Sequence, residues 1–378
     1  MNRKIWLSLA HMSGEEQKYI QEAFDTNWVV PLGPNVNAFE DLLQDYLGED
    51  KKVVALVSGT SAIHLALIQL GVGPGDEVIC QSFTFVATAN PIIYLGATPV
   101  FIDSEEETWN MNPVYLEEAI LDRMAKTGKK PKAIIPVDLY GMPANMDAIL
   151  EIAARYEIPV LEDSAEALGS TYKGRKCGTF GEFACLSFNG NKIITTSGGG
   201  ALVCSTEEQA KKTLFYATQA RDNEAYYQHS EIGYNYRLSN ICAGIGRGQM
   251  TVLDQFVARR REIHSLYLSA LSTFPGIRVF HNSSPDYMSN YWLSCVQIDA
   301  EVAGFTNIEV YEAMLSANIE CRPLWKPLHM QPVFSNELFY GNGVSKKLFY
   351  NGLCLPSSPA LTDHHIERVI DVFRTMKK

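Results

Sequence analysis

The sequence has little positive charge and no long apolar run. Its 32 Lys and Arg residues stand against 43 Asp and Glu residues, a net charge of −11. A chain of this sign binds nucleic acid or anionic lipid poorly, because both ligands reward positive charge. The apolar runs are shorter than the roughly 20 residues that a membrane-spanning helix needs. We therefore expect neither nucleic acid nor a membrane as a partner.

The cysteines lack the spacing of a disulfide or zinc framework. None of the eight forms a C-x-x-C pair, and most have apolar neighbours, as in FACLSF and ALVCS. Buried free thiols in a reducing compartment are the expected state. The apolar stretch near the N-terminus ends at His11 and Glu15–Glu16, too early for a secretory signal. The sequence therefore predicts a cytoplasmic protein with no metal site.

Several catalytic signatures are also missing. The chain contains no G-x-x-x-x-G-K-[ST] loop, no G-x-G-x-x-G after its first strand, no H-E-x-x-H and no G-x-S-x-G. These absences argue against a P-loop NTPase, a simple NAD enzyme, a zinc protease and a serine hydrolase of the nucleophile-elbow type.

Residues 53–205 alternate short apolar segments with amphipathic segments of helix length. The composition, 46% hydrophobic and 20% charged over 378 residues, is that of a globular chain with two or three domains. The rhythm indicates buried, mainly parallel strands joined by helices. Strands are predicted at 53–58, 77–82, 98–103, 132–140 and 159–165, with helices at 61–71, 85–96, 113–126 and 146–157. FACLSF (183–188) and GALVCS (200–205) are predicted to form an antiparallel insertion.

The pattern changes after about residue 239. A long helix is predicted up to about residue 271, followed by short strands at 276–280 and 291–299 and by helices at 307–318 and 363–378. The Arg259-Arg260-Arg261 run on the long helix is expected to be a solvated face. We predict a large α/β domain at 1–245, N-terminal helices included, and a smaller α+β domain at 246–378.

Polar residues follow the predicted strands where ligands bind in open α/β sheets. Gly59-Thr60-Ser61 opens a helix and is either an anion cradle or an N-cap. Glu162-Asp163 ends a buried strand, so these acids either form a structural ion pair or contact a cationic ligand. Lys192 lies between a strand and a glycine-rich turn, which is unusual for a surface lysine.

One cofactor chemistry would use all of these groups. Pyridoxal 5′-phosphate (PLP) needs a lysine amine, an acid opposite its pyridine nitrogen, a phosphate cup and a flat side chain against its ring. Lys192 and Asp163 could supply the first two. Thr60 and Ser61 with Ser187 could supply the cup, and Phe85 could supply the flat side chain.

The sequence resembles the DegT/DnrJ/EryC1/StrS family of PLP-dependent nucleotide-sugar aminotransferases. The motifs that carry this resemblance are SGTSA (58–62), FTFVATAN (83–90), EDSAEALGS (162–170), SFNGNK (187–192) with SGGG (197–200), and GYNYRLS (233–239). The resemblance implies the type I fold of aspartate aminotransferase. That fold has a large, mainly parallel seven-stranded sheet with helices on both faces, and a smaller α+β C-terminal domain.

The resemblance also implies residue roles. Lys192 would hold PLP as a Schiff base, Asp163 would face the pyridine nitrogen, and Phe85 would stack on the ring. Thr60, Ser61 and Ser187 would bind the phosphate. Asn235 would reach the phosphate in the neighbouring subunit, which makes a homodimer necessary for a complete site.

Position 166 is Glu where many members of the family have His or Gln, and SGGG replaces the commoner GEGG. With SFNGNKIITT and RPLWKPLHMQPVF (322–334), these variants resemble a branch that aminates C4 of UDP-4-keto-6-deoxy-N-acetylglucosamine, using L-glutamate. Glu166 would then either orient a sugar hydroxyl or a water, or be a structural partner. The candidates for substrate contact are Asn191, Arg237, Arg322, Trp325, Lys326 and His329.

Three alternatives stay open at this point. The substrate could be a GDP-linked 4-keto sugar, as in perosamine synthesis. The protein could be a dehydratase that uses pyridoxamine phosphate, but Lys192 argues against this because those relatives typically carry His there. It could also be a non-catalytic protein that binds nucleotide sugars on the same scaffold.

Overall fold

The computed structural model describes residues 3–48 and 50–376. The helices are α1 (Glu16–Asp25), α2 (Pro34–Leu47), α3 (Gly59–Gln69), α4 (Asn90–Tyr94), α5 (Pro113–Thr127), α6 (Met146–Tyr156), α7 (Glu207–Ala217), α8 (Asn240–Met250), α9 (Leu253–Leu271), α10 (Ala300–Ala303), α11 (Asn307–Ser316), α12 (Val344–Asn351) and α13 (Asp363–Met376). The strands are β1 (Lys52–Leu56), β2 (Glu77–Gln81), β3 (Thr98–Ile102), β4 (Ala133–Ile135), β5 (Leu161–Asp163), β6 (Thr171–Tyr172), β7 (Arg175–Lys176), β8 (Phe183–Ser187), β9 (Gly200–Cys204), β10 (Ile277–Val279), β11 (Tyr287–Met288), β12 (Ser294–Ile298), β13 (Arg322–Pro323), β14 (Leu338–Tyr340) and β15 (Gly352–Leu355).

A large twisted sheet occupies the first two thirds of the chain. Its two halves have the strand orders β1-β9-β8-β5 and β14-β3-β2-β4. Parallel bridges from Ile134 to Val160 and from Val137 to Asp163 join β4 to β5, so the halves are continuous. Strand β9 runs antiparallel to both β1 and β8, which confirms the predicted insertion. The sheet has the seven predicted strands and an eighth, β14, which comes from the C-terminal third and pairs with β3.

Both faces of this sheet are buried, as the apolar strands predicted. In β1, Val53 and Ala55 pack in one cluster with Phe39 of α2, while Val54 and Leu56 pack in another cluster with α3. Alternate residues of a strand point to opposite faces, so one strand packs against helices on both faces of the sheet. The α/β fold class predicted from the sequence is confirmed.

The C-terminal part has its own antiparallel sheet, in the order β10-β12-β15-β13. Helices α9, α11 and α13 cover it and share an apolar core with its strands. The boundary between 245 and 246 stays a prediction, although two segments cross it. Ile5 pairs with Ile319 and lies in the C-terminal core, and β14 lies in the large sheet.

Some local predictions were wrong. The predicted long helix is two helices, α8 and α9, which are separated at Thr251 and Val252. The predicted helix at 85–96 is a 3₁₀ turn (Val86–Thr88) followed by the short helix α4. Arg260, expected on a solvated face, is 1% exposed.

The remaining global expectations concern thiols and membranes. All eight cysteines are free; seven are buried and Cys242 is half-buried. Buried free thiols are therefore confirmed. Among the described residues, every helix is too short or too polar to cross a bilayer.

Candidate active site

A cavity of about 240 Å³ lies at the carboxyl ends of β1, β5 and β8. These strands are neighbours or near neighbours in the sheet, so the residues that follow them converge on one place. Five of the seven predicted cofactor residues line this cavity: Thr60, Phe85, Asp163, Ser187 and Lys192. Glu166, predicted as catalytic, and Asn191 and Trp325, predicted as substrate contacts, line it too. A larger and more open cavity of about 750 Å³ lies between β10, β12 and α12, and it is lined by none of the predicted site residues.

Asp163 is held at the end of β5 by two hydrogen bonds. Thr88 Oγ1 donates to Asp163 Oδ2 at 2.7 Å, and the Ala165 amide donates to Oδ1 at 3.2 Å. Thr88 in turn lies 2.8 Å from the Thr84 hydroxyl. Burial raises the pKa of Asp163, while the Thr88 hydrogen bond and then the Ala165 amide and the Lys192 charge lower it. Burial outweighs these contacts and the pKa of Asp163 is raised, so a cationic partner in the cavity would favour its ionised form.

Lys192 and Glu166 form a buried pair on the same wall. Lys192 Nζ lies 3.3 Å from Glu166 Oε1, and the two side chains are 12% and 4% exposed. The other oxygen, Oε2, accepts the backbone N–H of Tyr140 at 2.7 Å. Burial raises the pKa of Glu166, and the Lys192 charge followed by the Tyr140 amide lowers it. The carboxylate is therefore fixed on one side and faces the amine on the other.

The Tyr140 amide can reach Glu166 because the local backbone is unusual. Tyr140 has φ 55°, in the left-handed region that non-glycine residues rarely adopt. Gly141 follows with φ 89°, and a Cβ there would lie 1.9 Å from Asn290 Oδ1. The same Asn290 side chain donates to the backbone oxygen of Glu166 at 2.8 Å. Strained backbone of this kind persists only where its surroundings enforce it.

The N-terminus of α3 forms the floor beside Ser187. A Cβ on Gly59 would lie 3.3 Å from Ser187 Cβ, and one on Gly200 would lie 2.3 Å from the backbone of Ser58 and Gly59. These glycines let β9 and β8 pack directly on the helix start. The first amides of a helix have no partner within the helix and carry a partial positive charge. This floor suits a phosphate group.

Ser61 differs from the prediction. The helix cap is Ser58, whose Oγ accepts the Ser61 amide at 3.1 Å, and Ser61 Oγ donates to the Ser58 carbonyl at 2.7 Å. Ser61 is buried and does not line the cavity. The two alternatives for the Gly59-Thr60-Ser61 segment, anion cradle and N-cap, therefore apply to different residues. Thr60 borders the cavity, whereas Ser61 completes a capping box.

Several predicted substrate contacts lie elsewhere. Arg237 is buried, forms an ion pair with Glu40 and donates to the Ala55 carbonyl at 3.1 Å. Arg322 is exposed and pairs with Glu320 at 2.6 Å. These two guanidinium groups already have partners away from the cavity, so the structure does not bring either arginine to the site.

The other predicted positions are mixed. His329 Nδ1 lies 2.7 Å from Ser82 Oγ, and its ring stacks on Phe339 outside the cavity lining. Lys326 is half-buried and also outside that lining. Asn235 is exposed, forms a backbone bridge to Thr218 and does not line the cavity of its own chain. Trp325 does line the cavity, with its ring 5.5 Å from that of Phe85, which is 55% exposed.

Glu162 does not line this cavity, and no ion pair joins it to a cation among the residues that the structure describes. Its oxygens accept the amides of Gly178 (2.6 Å) and Phe180 (2.9 Å). The Ser164 hydroxyl lies 2.9 Å from Glu162 Oε1 and 2.7 Å from Asp138 Oδ2. One hydroxyl proton cannot serve two carboxylates, so one acid must hold a proton. Burial and then the Glu162 charge raise the pKa of Asp138 well above its usual range.

Sequence reasoning missed three residues of the site. Thr88 fixes Asp163, Trp292 lines the cavity beside Lys192, and Tyr140 supplies an amide to Glu166. Thr88 lies in the FTFVATAN segment that carried the resemblance, so a signal was present. Trp292 comes from a distant segment and had no local signal.

The donor set fits PLP. An amine, a buried carboxylate, an exposed aromatic ring and a helix N-terminus with Ser187 share one cavity. The fold and this site together define a PLP-dependent aminotransferase of fold type I.

Comparison with known proteins identifies the family. The DegT/DnrJ/EryC1/StrS aminotransferase family profile matches residues 10–374. EpsN of Bacillus subtilis (strain 168), named as a pyridoxal phosphate-dependent aminotransferase, is 52% identical, over 98% of this chain and 95% of its own length. GDP-perosamine synthase of Caulobacter vibrioides is 36% identical, over 97% of this chain and 96% of its own. A structure from Streptococcus pneumoniae, named as a sugar aminotransferase in its PLP form, superposes with a TM-score of 0.90 at 26% identity and covers 99% of each chain.

The chain belongs to the DegT/DnrJ/EryC1/StrS aminotransferase family. It is a PLP-dependent sugar aminotransferase.

Proposed function

We propose that the protein transfers the amino group of L-glutamate to C4 of UDP-4-keto-6-deoxy-N-acetylglucosamine. The product would be UDP-4-amino-4,6-dideoxy-N-acetylglucosamine, a sugar for bacterial glycans of the bacillosamine type. The observation that carries the reaction type is the shared cavity of Lys192 and Asp163, with Glu166 beside the lysine. The choice of UDP sugar is supported by the branch motifs at 187–196 and 322–334.

PLP, when bound, supplies an electrophilic carbon and an electron-withdrawing ring. Lys192 would hold it through its amine and, with that amine free, would be the base that moves a proton at the amino-acid Cα. Asp163 would hold a proton on the pyridine nitrogen by charge pairing, and Thr88 keeps that carboxylate oriented. The phosphate would be held by Thr60, Ser187 and the start of α3, and Phe85 would cover the ring.

Glu166 acts on the amine rather than on the cofactor ring. Its Oε1 lies within reach of Lys192 Nζ, and its Oε2 is fixed by the Tyr140 amide. When the amine is free and protonated, this carboxylate keeps it inside the cavity. Asn191 and Trp325 border the same space and are the remaining candidates for contact with the sugar.

The diphosphate of the substrate requires groups that bind it. Arg237 and Arg322 do not supply them in this cavity, because both form ion pairs elsewhere. A second copy of the chain is the proposed source, in keeping with a homodimer in which Asn235 reaches across. The exposed position of Asn235 is consistent with this role. We place the reaction in the cytoplasm, where the nucleotide sugar and glutamate are available and thiols stay reduced.

A GDP-linked 4-keto-6-deoxy sugar is the second candidate substrate. GDP-perosamine synthases at 36% identity over nearly the whole chain favour it. A panel of 4-keto nucleotide sugars with L-glutamate, read by product mass, separates the two. A 4-amino product from the UDP sugar at far higher kcat/KM supports the proposal, and preference for the GDP sugar overturns it. A colourless protein that cannot be reconstituted with PLP would favour non-catalytic binding of a nucleotide sugar.

A further inference from the structure

Trp292 is the second close neighbour of the Lys192 amine. The Nζ atom lies 4.3 Å from the centre of the indole ring, a cation–π distance. Trp292 is 2% exposed and the Lys192 side chain 12% exposed, so the pair has little contact with water. Cation–π attraction is strongest in such desolvated places. The amine therefore lies in contact with the Glu166 carboxylate and with an aromatic face.

Three hydrogen bonds hold the indole in this position. The Trp292 amide donates to Asn290 Oδ1 at 2.8 Å, and the Trp292 carbonyl accepts from Arg260 Nη1 at 2.6 Å. The indole Nε1–H donates to the Asn191 carbonyl at 2.7 Å. Because Asn191 directly precedes Lys192, one side chain contacts both the amine and the backbone that carries it. The ring and the lysine are thus fixed relative to each other.

Arg260 anchors the contacts that hold Trp292 in place. Its buried guanidinium also donates to the Ser357 carbonyl at 2.9 Å and to Ser8 Oγ at 3.2 Å. The Ser8 hydroxyl donates to the same Asn191 carbonyl at 2.7 Å. The contacts that position Trp292 thus connect α9, the N-terminal segment and the segment that follows β15. An arginine on a solvated helix face, as the sequence predicted, could not make these contacts.

We propose that Trp292 is a positioning residue that aims the Lys192 amine at the cofactor carbon. The indole face and Glu166 together restrict Nζ to one region of the cavity whenever it is not bonded to the cofactor. The proposal rests on the proposed function for its purpose, but the position of the amine can be measured without turnover. Its first consequence is fast covalent capture of PLP: the ammonium would give a proton to the adjacent Glu166 carboxylate, the neutral nitrogen would bond the aldehyde carbon, and the aldehyde oxygen would leave as water.

The test compares capture of PLP with binding of pyridoxamine phosphate, which has the same ring and phosphate but forms no bond to Lys192. Cofactor-free protein is mixed with PLP, and the absorbance of the covalent complex gives the capture rate. We expect Trp292→Leu to slow capture by about tenfold, because an unrestrained amine is seldom oriented for attack. Trp292→Phe keeps an aromatic face and should capture within about threefold of the wild-type rate. The affinity for pyridoxamine phosphate should stay within about twofold.

A matched control is available at the N-terminus. Lys4 Nζ lies 3.8 Å from the ring of Trp6, which is 44% exposed and does not line the cavity. Trp6→Leu removes an aromatic–lysine contact of the same kind and should leave the capture rate unchanged.

Two results would overturn the proposal. One is a wild-type capture rate in Trp292→Leu, or in Trp292→Phe a loss as large as in Trp292→Leu. The other is a parallel loss of pyridoxamine phosphate affinity, which would make Trp292 a wall of the cofactor pocket instead. If Trp292→Leu does not fold, Trp292→Tyr replaces it as a second aromatic variant, and a tenfold slower capture there contradicts the proposal. Failure to aminate any sugar would refute the proposed function without changing these rates.

Discussion

Replacing Thr88 with Val should move the acid limb of the activity profile to higher pH. The substitution keeps the shape of the side chain and removes the hydroxyl that donates to Asp163 Oδ2 at 2.7 Å. The carboxylate is buried, and the Thr88 hydrogen bond is the largest of the contributions that lower its pKa. Without that donor, the ionised form loses stabilisation and the pKa of Asp163 rises.

The expected size follows from the strength of a hydrogen bond to a charged group. Such a bond contributes about 1.5–3 kcal/mol. At about 1.4 kcal/mol per pKa unit, its loss raises the pKa of Asp163 by about one to two units. Protonated Asp163 cannot pair with a protonated pyridine nitrogen. The pH below which kcat falls should therefore rise by about the same amount.

The assay is kcat for the amination half-reaction, measured between pH 5 and 9 for the wild type, Thr88→Val and Thr88→Ser. Serine restores the hydroxyl, so Thr88→Ser should follow the wild-type profile. Superimposed acid limbs for wild type and Thr88→Val would refute the reasoning. A uniform loss of activity in both variants would indicate a packing role for Thr88 instead.

Two further predictions concern buried ionisable groups outside the cavity. Because the native state keeps the proton of Asp138, the stability that this acid contributes is present at low pH and is lost as the pH rises through its raised pKa. Asp138→Asn should flatten that decline and lower the free energy of unfolding in urea by less than about 1 kcal/mol. Glu162→Gln should lower it by about 2–3 kcal/mol, because the new side-chain amide turns a donor toward backbone N–H groups. A larger loss for Asp138→Asn than for Glu162→Gln would contradict the assignment of the proton to Asp138. Arg237→Leu should lower the free energy of unfolding by about 3 kcal/mol, because it leaves the half-buried Glu40 carboxylate without its cation. The KM for the nucleotide sugar should not change, and a tenfold higher KM with unchanged stability would restore Arg237 as a substrate contact.

The local sequence pattern predicted those parts of the fold that depend on residues close together in the sequence. The apolar runs predicted β1, β2, β3, β5, β8 and β9 because buried strands must be apolar on both faces. The position of Asp163 after β5 and of Lys192 after β8 placed them at one edge of the sheet, and they do line one cavity.

Contacts between distant segments could not be predicted in this way. Arg237 was expected to bind the substrate, but its partner Glu40 lies 197 residues away in the sequence. Arg260 resembled its charged neighbours and is nevertheless buried among backbone carbonyls. Trp292 comes from the C-terminal third and contacts Lys192 only in the folded chain.

The most direct test of the central claim is a reduction experiment on the PLP-loaded protein. Borohydride followed by peptide mass analysis should find the mass of reduced cofactor on the peptide that contains Lys192. Lys192→Ala should carry no such mass and should have no turnover, yet still bind pyridoxamine phosphate. Cofactor fixed to another lysine, or wild-type turnover in Lys192→Ala, would contradict the account.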